Sequence, residues 1–349
     1  MLSVSFFFSS QHATTRDNRT DELLSPKLNI PADCAAELST NGAAFLDSIF
    51  SGYASGTGNS AMLSADHLAK MCSVIPGKCW VEQQLGGGSS SRRTFFLVWR
   101  FLVLDQPLLA IKYLAYLGYG QMGANLGPVA DAIALSKRRV SECAAGRSDR
   151  GIFVCYACGS GKEGRESSTA ALSKALLNAG GIQITQGGGA TEAGIVVGPV
   201  SKGNGGSDST LVLKDYALDH DSAAVMSDAC AQQCDIVCIF SDQSDSKSFS
   251  YATDLQSKVV VPGPQVLMVA CGSAGGSSAA HYCKTRGMAT SIELTPNVSA
   301  APILDKVAEL ASQPKLSNVV TSSSWGFSSY LVAVASIATI AYLVHKRSK

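Results

Sequence analysis

The stretch ACGSGKEGRESS, residues 157–168, follows the apolar run GIFVCY and precedes the helix-like run TAALSKALLNAG. Gly159-x-Gly161-x-x-Gly164 satisfies the dinucleotide fingerprint G-x-G-x-x-G, and Gly159-x-x-x-x-Gly164 also satisfies the first half of the phosphate-binding pattern G-x-x-x-x-G-K-[ST]. The dinucleotide chemistry needs an acidic residue about twenty residues on to hold a ribose hydroxyl. The region GIQITQGGGATEAG offers Glu192 as its first acid, beyond a triple glycine. The phosphate chemistry needs Lys directly after the second glycine and then a hydroxyl for Mg²⁺. Here Gly164 is followed by Arg165 and Glu166. Arg165 carries the charge without the compact geometry of an ammonium, and Glu166 would bring a carboxylate toward phosphate oxygens of like sign. Moving the register to Gly161-Lys162 puts Tyr156 where the first glycine belongs. The loop supports both readings and completes neither.

The remaining chemistry-bearing residues are sparser. Eleven cysteines are spread along the chain, several inside apolar runs (Cys155, Cys238, Cys271), where a thiol packs as a small hydrophobe. Cys155-x-x-Cys158 could be half of a redox or zinc site, but no second pair stands at zinc spacing. Cys230, Cys234 and Cys238 would share a helix face, except that CDIVCIF reads as a strand from Ile236 onward. His220 and His281 have no ligand partners in view and read as surface histidines. The expected metal-ligand set is therefore none. With Lys+Arg 28 against Asp+Glu 27 the net charge is +1, so no global field draws nucleic acid, and none is expected as a partner.

The elements that must position these residues alternate from about residue 151 to 316. Strand-like GIFVCYAC, STLVLKDYA, IVCIFSD, QVLMVACG and SIEL are followed by helix-like SSTAALSKALLNAG, SAAVMSDACAQQ, KSFSYATDLQSK, SSAAHYCKTRG and APILDKVAELA. Continuous apolar strands between helices predict an α/β domain with a mostly parallel sheet covered on both faces, whose ligands bind at the carboxyl ends of the strands. GGGSSSRR at 86–93 and SKGNGGSDS at 201–209 read as flexible insertions by composition.

From residue 325 to 344 the chain reads WGFSSYLVAVASIATIAYLV, without a charge and followed by HKRSK. About twenty helical residues cover about 30 Å, the thickness of a bilayer's hydrocarbon core. Trp325, Tyr330 and Tyr342 fall near the two interfaces and Lys346, Arg347 and Lys349 beyond. The segment is expected to be a transmembrane tail anchor with everything upstream in the cytosol. Its small residues and short basic tail suit the mitochondrial outer membrane. The amino terminus lacks a basic n-region and makes a poor secretory signal.

The order of segments resembles a family, the mitochondrial Rho GTPases (Miro). CDIVCIFSDQSDSKSFSY, 234–251, is similar to the fourth strand and following helix of the family's carboxyl-terminal GTPase domain. HYCKTRGM resembles its Phe-Cys-Arg-Lys-His run, and LVLKDYA the strand ending in the switch-region aspartate, here Asp215. Upstream, 28–50, MLSADHLAKM (62–71) and 97–119 resemble the second EF-hand and the helix pair beside it. Residues 1–27 are unassigned and read as a flexible leader, and the resemblance implies a degenerate EF-hand module with its helix pair over 28–125. It further implies a P-loop GTPase-like domain over 148–316 and the anchor over 325–344. The family's first GTPase domain and first EF-hand have no counterpart in the residues before the match.

The departures from the family pattern carry the functional expectation. The degenerate GTP site is expected at Gly159, Gly164, Arg165, Ser167 and Asp215. The guanine-reading stretch is ACGSAGG, with Gly272 at the Lys place and Ala274 at the Asp place, and Leu218 stands where the switch glycine belongs. A calcium loop at 56–67 would offer Gly56, Gly58, Ser60 and His67 at its ligand positions, and Ser64 and Asp66 do not complete it. Nucleotide hydrolysis is expected to be lost, with no catalytic residue and neither GTP, Mg²⁺ nor calcium as a required cofactor. What remains is a membrane-anchored scaffold for cytosolic adaptor or motor proteins in mitochondrial transport, shape or inheritance. Two other readings stay open: an atypical nucleotide-switched GTPase using Arg165, Lys162 and Ser167, and a membrane-anchored dinucleotide-dependent reductase using Gly159, Gly161 and Gly164.

Overall fold

The computed structural model describes residues 29–31, 33–86, 88–120, 129–159, 168–185, 194–201, 208–215, 234–259, 264–272, 278–295 and 299–314. Apolar runs form the centre. Strand β5 (Ile152–Gly159) is buried at all eight positions, so it lies between two covered faces. It pairs in parallel with β8 (Asp208–Asp215) on one side and β9 (Ile236–Asp242) on the other. Beyond β9 come β10 (Gln265–Cys271) and β11 (Ile292–Leu294), again parallel. Beyond β8 come β7 (Gly194–Ser201) and β6 (Ile182–Ile184), both antiparallel to their neighbours. The seven-stranded order is β11-β10-β9-β5-β8-β7-β6. A mixed sheet covered by helices fits the α/β GTPase-like fold expected from the sequence.

The side-chain period of two sends alternate residues to opposite faces. Phe153, Cys155 and Ala157 of β5 join Leu211, Leu213, Ile236 and Cys238 under α7 (Ser168–Asn178) and α10 (Ala301–Ser312). Ile152, Val154, Tyr156 and Cys158 join Val212, Val237 and Ile239 on the other face, under α8 (Ser246–Ser257) and α9 (Ser278–Arg286). That second face continues without a break into the amino-terminal helices.

Three of those helices begin where a serine hydroxyl caps them. The Ser39 side chain accepts from the Gly42 amide at the start of α1 (Thr40–Tyr53), and Ser64 accepts from the His67 amide at the start of α2 (Ala65–Cys72). After α3 (Trp80–Leu85), Ser91 accepts from the Thr94 amide and opens α4 (Arg92–Asp105). Pro107 at the first position of α5 (Pro107–Tyr116) costs no hydrogen bond there. Phe95, Val98, Trp99 and Leu102 give α4 a fully buried stripe, and the helix lies across β6, β7 and β8. The strands β2 (Met62–Leu63) and β3 (Ser90–Ser91) form a short antiparallel link between the two helix–loop–helix units. Strand β1 (Ala36–Leu38) pairs with β4 (Ile133–Leu135) ahead of α6 (Arg139–Ala145).

Three expectations are corrected. Residues 90–93 of the segment read as an insertion are the β3 rung and the start of α4, and Ser201, Asp208 and Ser209 belong to strands. GIQITQ is not the second parallel strand of a dinucleotide fold, because Ile182–Ile184 runs antiparallel at the sheet edge. The strand Gly194–Ser201 has no counterpart in the alternation read from the sequence. The expected leader 1–27, the expected helix at 222–233 and the expected span at 325–344 lie outside the described residues. Among the described residues no helix is long and apolar enough to cross a membrane.

Candidate functional site

The parallel strands β8, β5, β9 and β10 deliver Asp215, Gly159, Asp242 and Cys271 to the same edge of the sheet, the edge where ligands of such folds bind. Gly159 has a reason that is independent of any ligand. A Cβ there would sit 2.4 Å from the Phe240 carbonyl oxygen, so the strand pairing itself excludes a side chain. Asp215 is partly buried, and the loss of water raises its carboxyl above the usual range, against the opposing hydrogen bonds of Thr169 and Ser173. The Ser173 hydroxyl lies 3.4 Å from its Oδ2. Both hydroxyls come from α7, so this carboxylate is tied to the helix that follows the glycine turn.

Past β9, Asp242 Oδ1 accepts from the Ser244 amide at 2.8 Å and its hydroxyl at 2.6 Å. The Gln243 amide nitrogen donates to the Cys271 carbonyl, while its side-chain Nε2 is buried without a hydrogen-bond partner among the described residues. Gly272 adopts φ 125° beside Asp242 and Gln243, a conformation that glycine enters without strain. Gly161, Lys162, Gly164, Arg165, Ser167, Leu218 and Ala274 lie outside the described residues. The described strand ends thus bring together one hydroxyl-bonded carboxylate, one locally capped carboxylate and one orphan amide. None of Gly159, Asp215, Asp242, Gln243, Cys271 and Gly272 carries a positive charge, so these residues do not fit a nucleotide triphosphate on their own.

The cysteine pair is also resolved by the strand. Cys155 and Cys158 fall on opposite faces of β5, the first 3.6 Å from Cys238 Sγ and the second 3.8 Å from the Cys238 carbonyl oxygen. They do not form a shared ligand pair. Among the described residues no group of three His, Cys, Asp or Glu side chains is placed to hold a metal ion. His281 is exposed, as read from the sequence.

A second polar constellation escaped sequence reasoning. At the opposite edge of the sheet, Arg150 meets Glu142 through Nε at 2.9 Å and through its terminal nitrogen at 2.7 Å, and meets Asp235 Oδ1 at 2.5 Å. Arg139 reaches the same Oδ1 at 3.1 Å, Ser148 donates to Glu142 at 2.7 Å, and the Val154 amide donates to Asp235 Oδ2 at 2.8 Å. Burial alone would raise the Asp235 carboxyl, but the two guanidiniums override it and hold the group below its usual range. The partners are separated by 85 and 96 residues, a distance at which no spacing rule operates.

Curated proteins are similar to this chain at low identity. Over 252 residues the chain is 27% identical to mitochondrial Rho GTPase 1 of Cryptococcus neoformans, covering 68% of this chain and 35% of that protein. It is 26% identical over 254 residues to mitochondrial Rho GTPase 1 of Schizosaccharomyces pombe (70% and 38%), and 25% identical over 259 residues to mitochondrial Rho GTPase 2 of Arabidopsis thaliana (71% and 38%). The chain is a divergent relative of the mitochondrial Rho GTPases. It spans 35% to 38% of the length of these three proteins. No family model matches it.

Against the mitochondrial Rho GTPase pattern, Asp215 ends its strand where the switch-region aspartate is expected, and Gly272 stands at the end of β10 where the base-reading lysine is expected. The helix–loop–helix around 56–67 has the two-stranded link an EF-hand pair would need, but its loop is spent on backbone shape. Gly56 and Gly58 turn the chain at φ 94° and 60°, and Ser64 uses its oxygen to cap α2. A glycine offers calcium no side-chain oxygen.

Proposed function

We propose that this chain is a Miro-like scaffold of the mitochondrial outer membrane, anchored through residues 325–344 and serving mitochondrial transport, morphology or inheritance by holding cytosolic adaptor or motor proteins. The names of its relatives support the mitochondrial assignment. The observation that carries the scaffold reading is the contrast between the two ends of the sheet strands. Their cores keep apolar residues through 152–158 of β5 and 236–240 of β9, while the ligand edge puts glycine at 272 and leaves Asp215 bonded to Thr169 and Ser173. A carboxylate held by hydroxyls and raised by burial is a weak ligand for a magnesium ion, which prefers ionised oxygens in strict octahedral geometry. The charge-assisted pair that reads guanine is missing as well.

A fluorescent GTP analogue titrated onto the full chain in detergent or liposomes, with and without Mg²⁺, tests the reading. No saturation up to about 100 μM is expected, a free-energy ceiling near 5 kcal/mol. Saturable, Mg²⁺-dependent binding at low micromolar concentration would overturn it in favour of the nucleotide-switched GTPase, in which Lys162, Arg165 and Ser167 take the phosphate and magnesium duties. Carbonate extraction tests the anchor: the full chain should stay with membranes and a chain ending at Ser324 should be released.

A further inference from the structure

Helix α1, helix α4 and the β7–β8 ladder border a cleft of about 850 Å³. One face of α1 supplies Thr40, Ala43, Ala44 and Asp47, which recur at the helical spacing of three and four. Pro199 and Thr210, opposite each other across the ladder, contribute from the sheet. From α4 come Arg92, Arg93 and Arg100, with Phe96 between them. Helix α4 thus carries two guanidiniums and no acid in its first turn, where the backbone dipole is already positive and an acid is the stabilising choice.

Among the described residues that line the cleft, Asp47 is the one acid. It pairs with Arg92 at 2.5 Å, but the side chains of Arg92 and Asp47 are 50% and 35% exposed, and a pair so open to water is weak. Arg100 is aimed by the Thr210 hydroxyl, to which it donates at 2.9 Å. Glu37 shares a smaller cavity with Arg100 and accepts from the Gly151 amide at 2.8 Å. Arg93 is exposed and rests against the turn after α7, its Nη1 3.8 Å from where a Cβ would stand at Gly180. Three arginines against Asp47 and Glu37 leave this place positive in a chain whose net charge is only +1.

We propose that this cleft docks an acidic, extended peptide segment of a partner protein, with two carboxylates about four residues apart. The spacing follows from α4. Arg92 and Arg100 are separated by about 12 Å along the helix, and an extended chain covers about 13 Å in four residues. A guanidinium meets a carboxylate through two parallel hydrogen bonds. Between the charged ends, Ala43, Ala44, Phe96 and Pro199 supply apolar surface, which suits the side chains between the two acids and offers nothing to a phosphate headgroup. This docking role rests on the scaffold reading, which the nucleotide titration tests separately: a cleft that takes no peptide leaves that reading intact.

The test titrates the full chain in detergent onto fluorescein-labelled peptides of the form Glu-x-x-x-Glu, with the central positions varied over Ala, Val, Leu, Phe and Ser, and reads anisotropy. At least one sequence should saturate below about 100 μM and weaken as salt is added. Arg93→Gln and Arg100→Gln should each weaken it at least about tenfold, Arg286→Gln outside the cleft should not, and the matching Lys-x-x-x-Lys peptide should not bind. On the unsubstituted protein, the bound peptide should shield Arg92 and Arg93 from phenylglyoxal, read by mass spectrometry, which decides even if a variant does not fold. No saturating peptide, or binding that leaves both arginines reactive, overturns the proposal. So does shielding by vesicles of phosphatidylcholine with phosphatidylinositol bisphosphate where no peptide shields, which would make the cleft a lipid site.

Discussion

Asp235 is the residue on which most of the buried charge depends. It receives Arg150, Arg139 and the Val154 amide, so removing it takes a buried carboxylate from two guanidiniums, of which Arg150 keeps Glu142. Asp235→Ala should cost about 3–5 kcal/mol, read as a lower urea midpoint at unchanged slope. The pH sign follows from the direction of the shift. A carboxyl held below its unfolded value contributes stability that is fully present above the ordinary carboxylate range and is lost as the pH falls through the folded value. Asp215 is shifted the other way, so its ionisation opposes folding as the pH rises past that range. A urea series from about pH 7 to about pH 3 should show falling stability in the unsubstituted chain and a shallower fall in Asp235→Ala. At this scale the sequence was legible only in part. Gly159 could be found because a glycine turn is a local pattern, and Asp215 because LVLKDYA resembles a strand of a known family. The Asp235 cluster could not, since its members lie on β9, α6 and the segment before β5, and only the folded sheet brings them together.

Among the elements, the strands β5, β8, β9, β10 and β11 were readable because apolar runs bounded by polar turns have few other uses. β7 was not, because GIVVGPVS carries two glycines and a proline, which normally speak against a strand. Its geometry shows why they are accommodated. A Cβ at Gly198 would be 2.6 Å from Leu176 Cδ1, so α7 packs directly on the backbone, and Pro199 lies past the end of β6, where β7 has one neighbour rather than two. The serines before α4 misled for a related reason. Composition marks GGGSSS as linker, whereas the Ser91 hydroxyl is the cap of a 14-residue helix. Ser91→Ala should lower stability by about 1 kcal/mol, measured by chemical denaturation, with Ser89→Ala as a near-neutral comparison.

The whole molecule has a core that runs from Phe45, Phe50 and Phe95 through Trp99 to Val154, Tyr156 and Val197 without a polar break. Helices and sheet are therefore expected to unfold together. Tryptophan emission of a Trp325→Phe chain, which reports Trp80 and Trp99 in the helices, and far-ultraviolet circular dichroism, which reports the whole backbone, should give coincident urea transitions. Two separated transitions would mean that the shared apolar surface is weaker than its burial indicates. The seam also carries polar matches: Arg100 ends on the Thr210 hydroxyl at 2.9 Å, and both groups of the Gln84 amide meet the Thr185 peptide. A ladder shifted by one residue turns every side chain to the opposite face. Inserting or deleting a single amino acid within 182–184, 194–201 or 208–215 would thus misalign these matches at once, so lineages carrying this fold should drift freely in the length of their connecting loops and hardly at all in the length of those three strands.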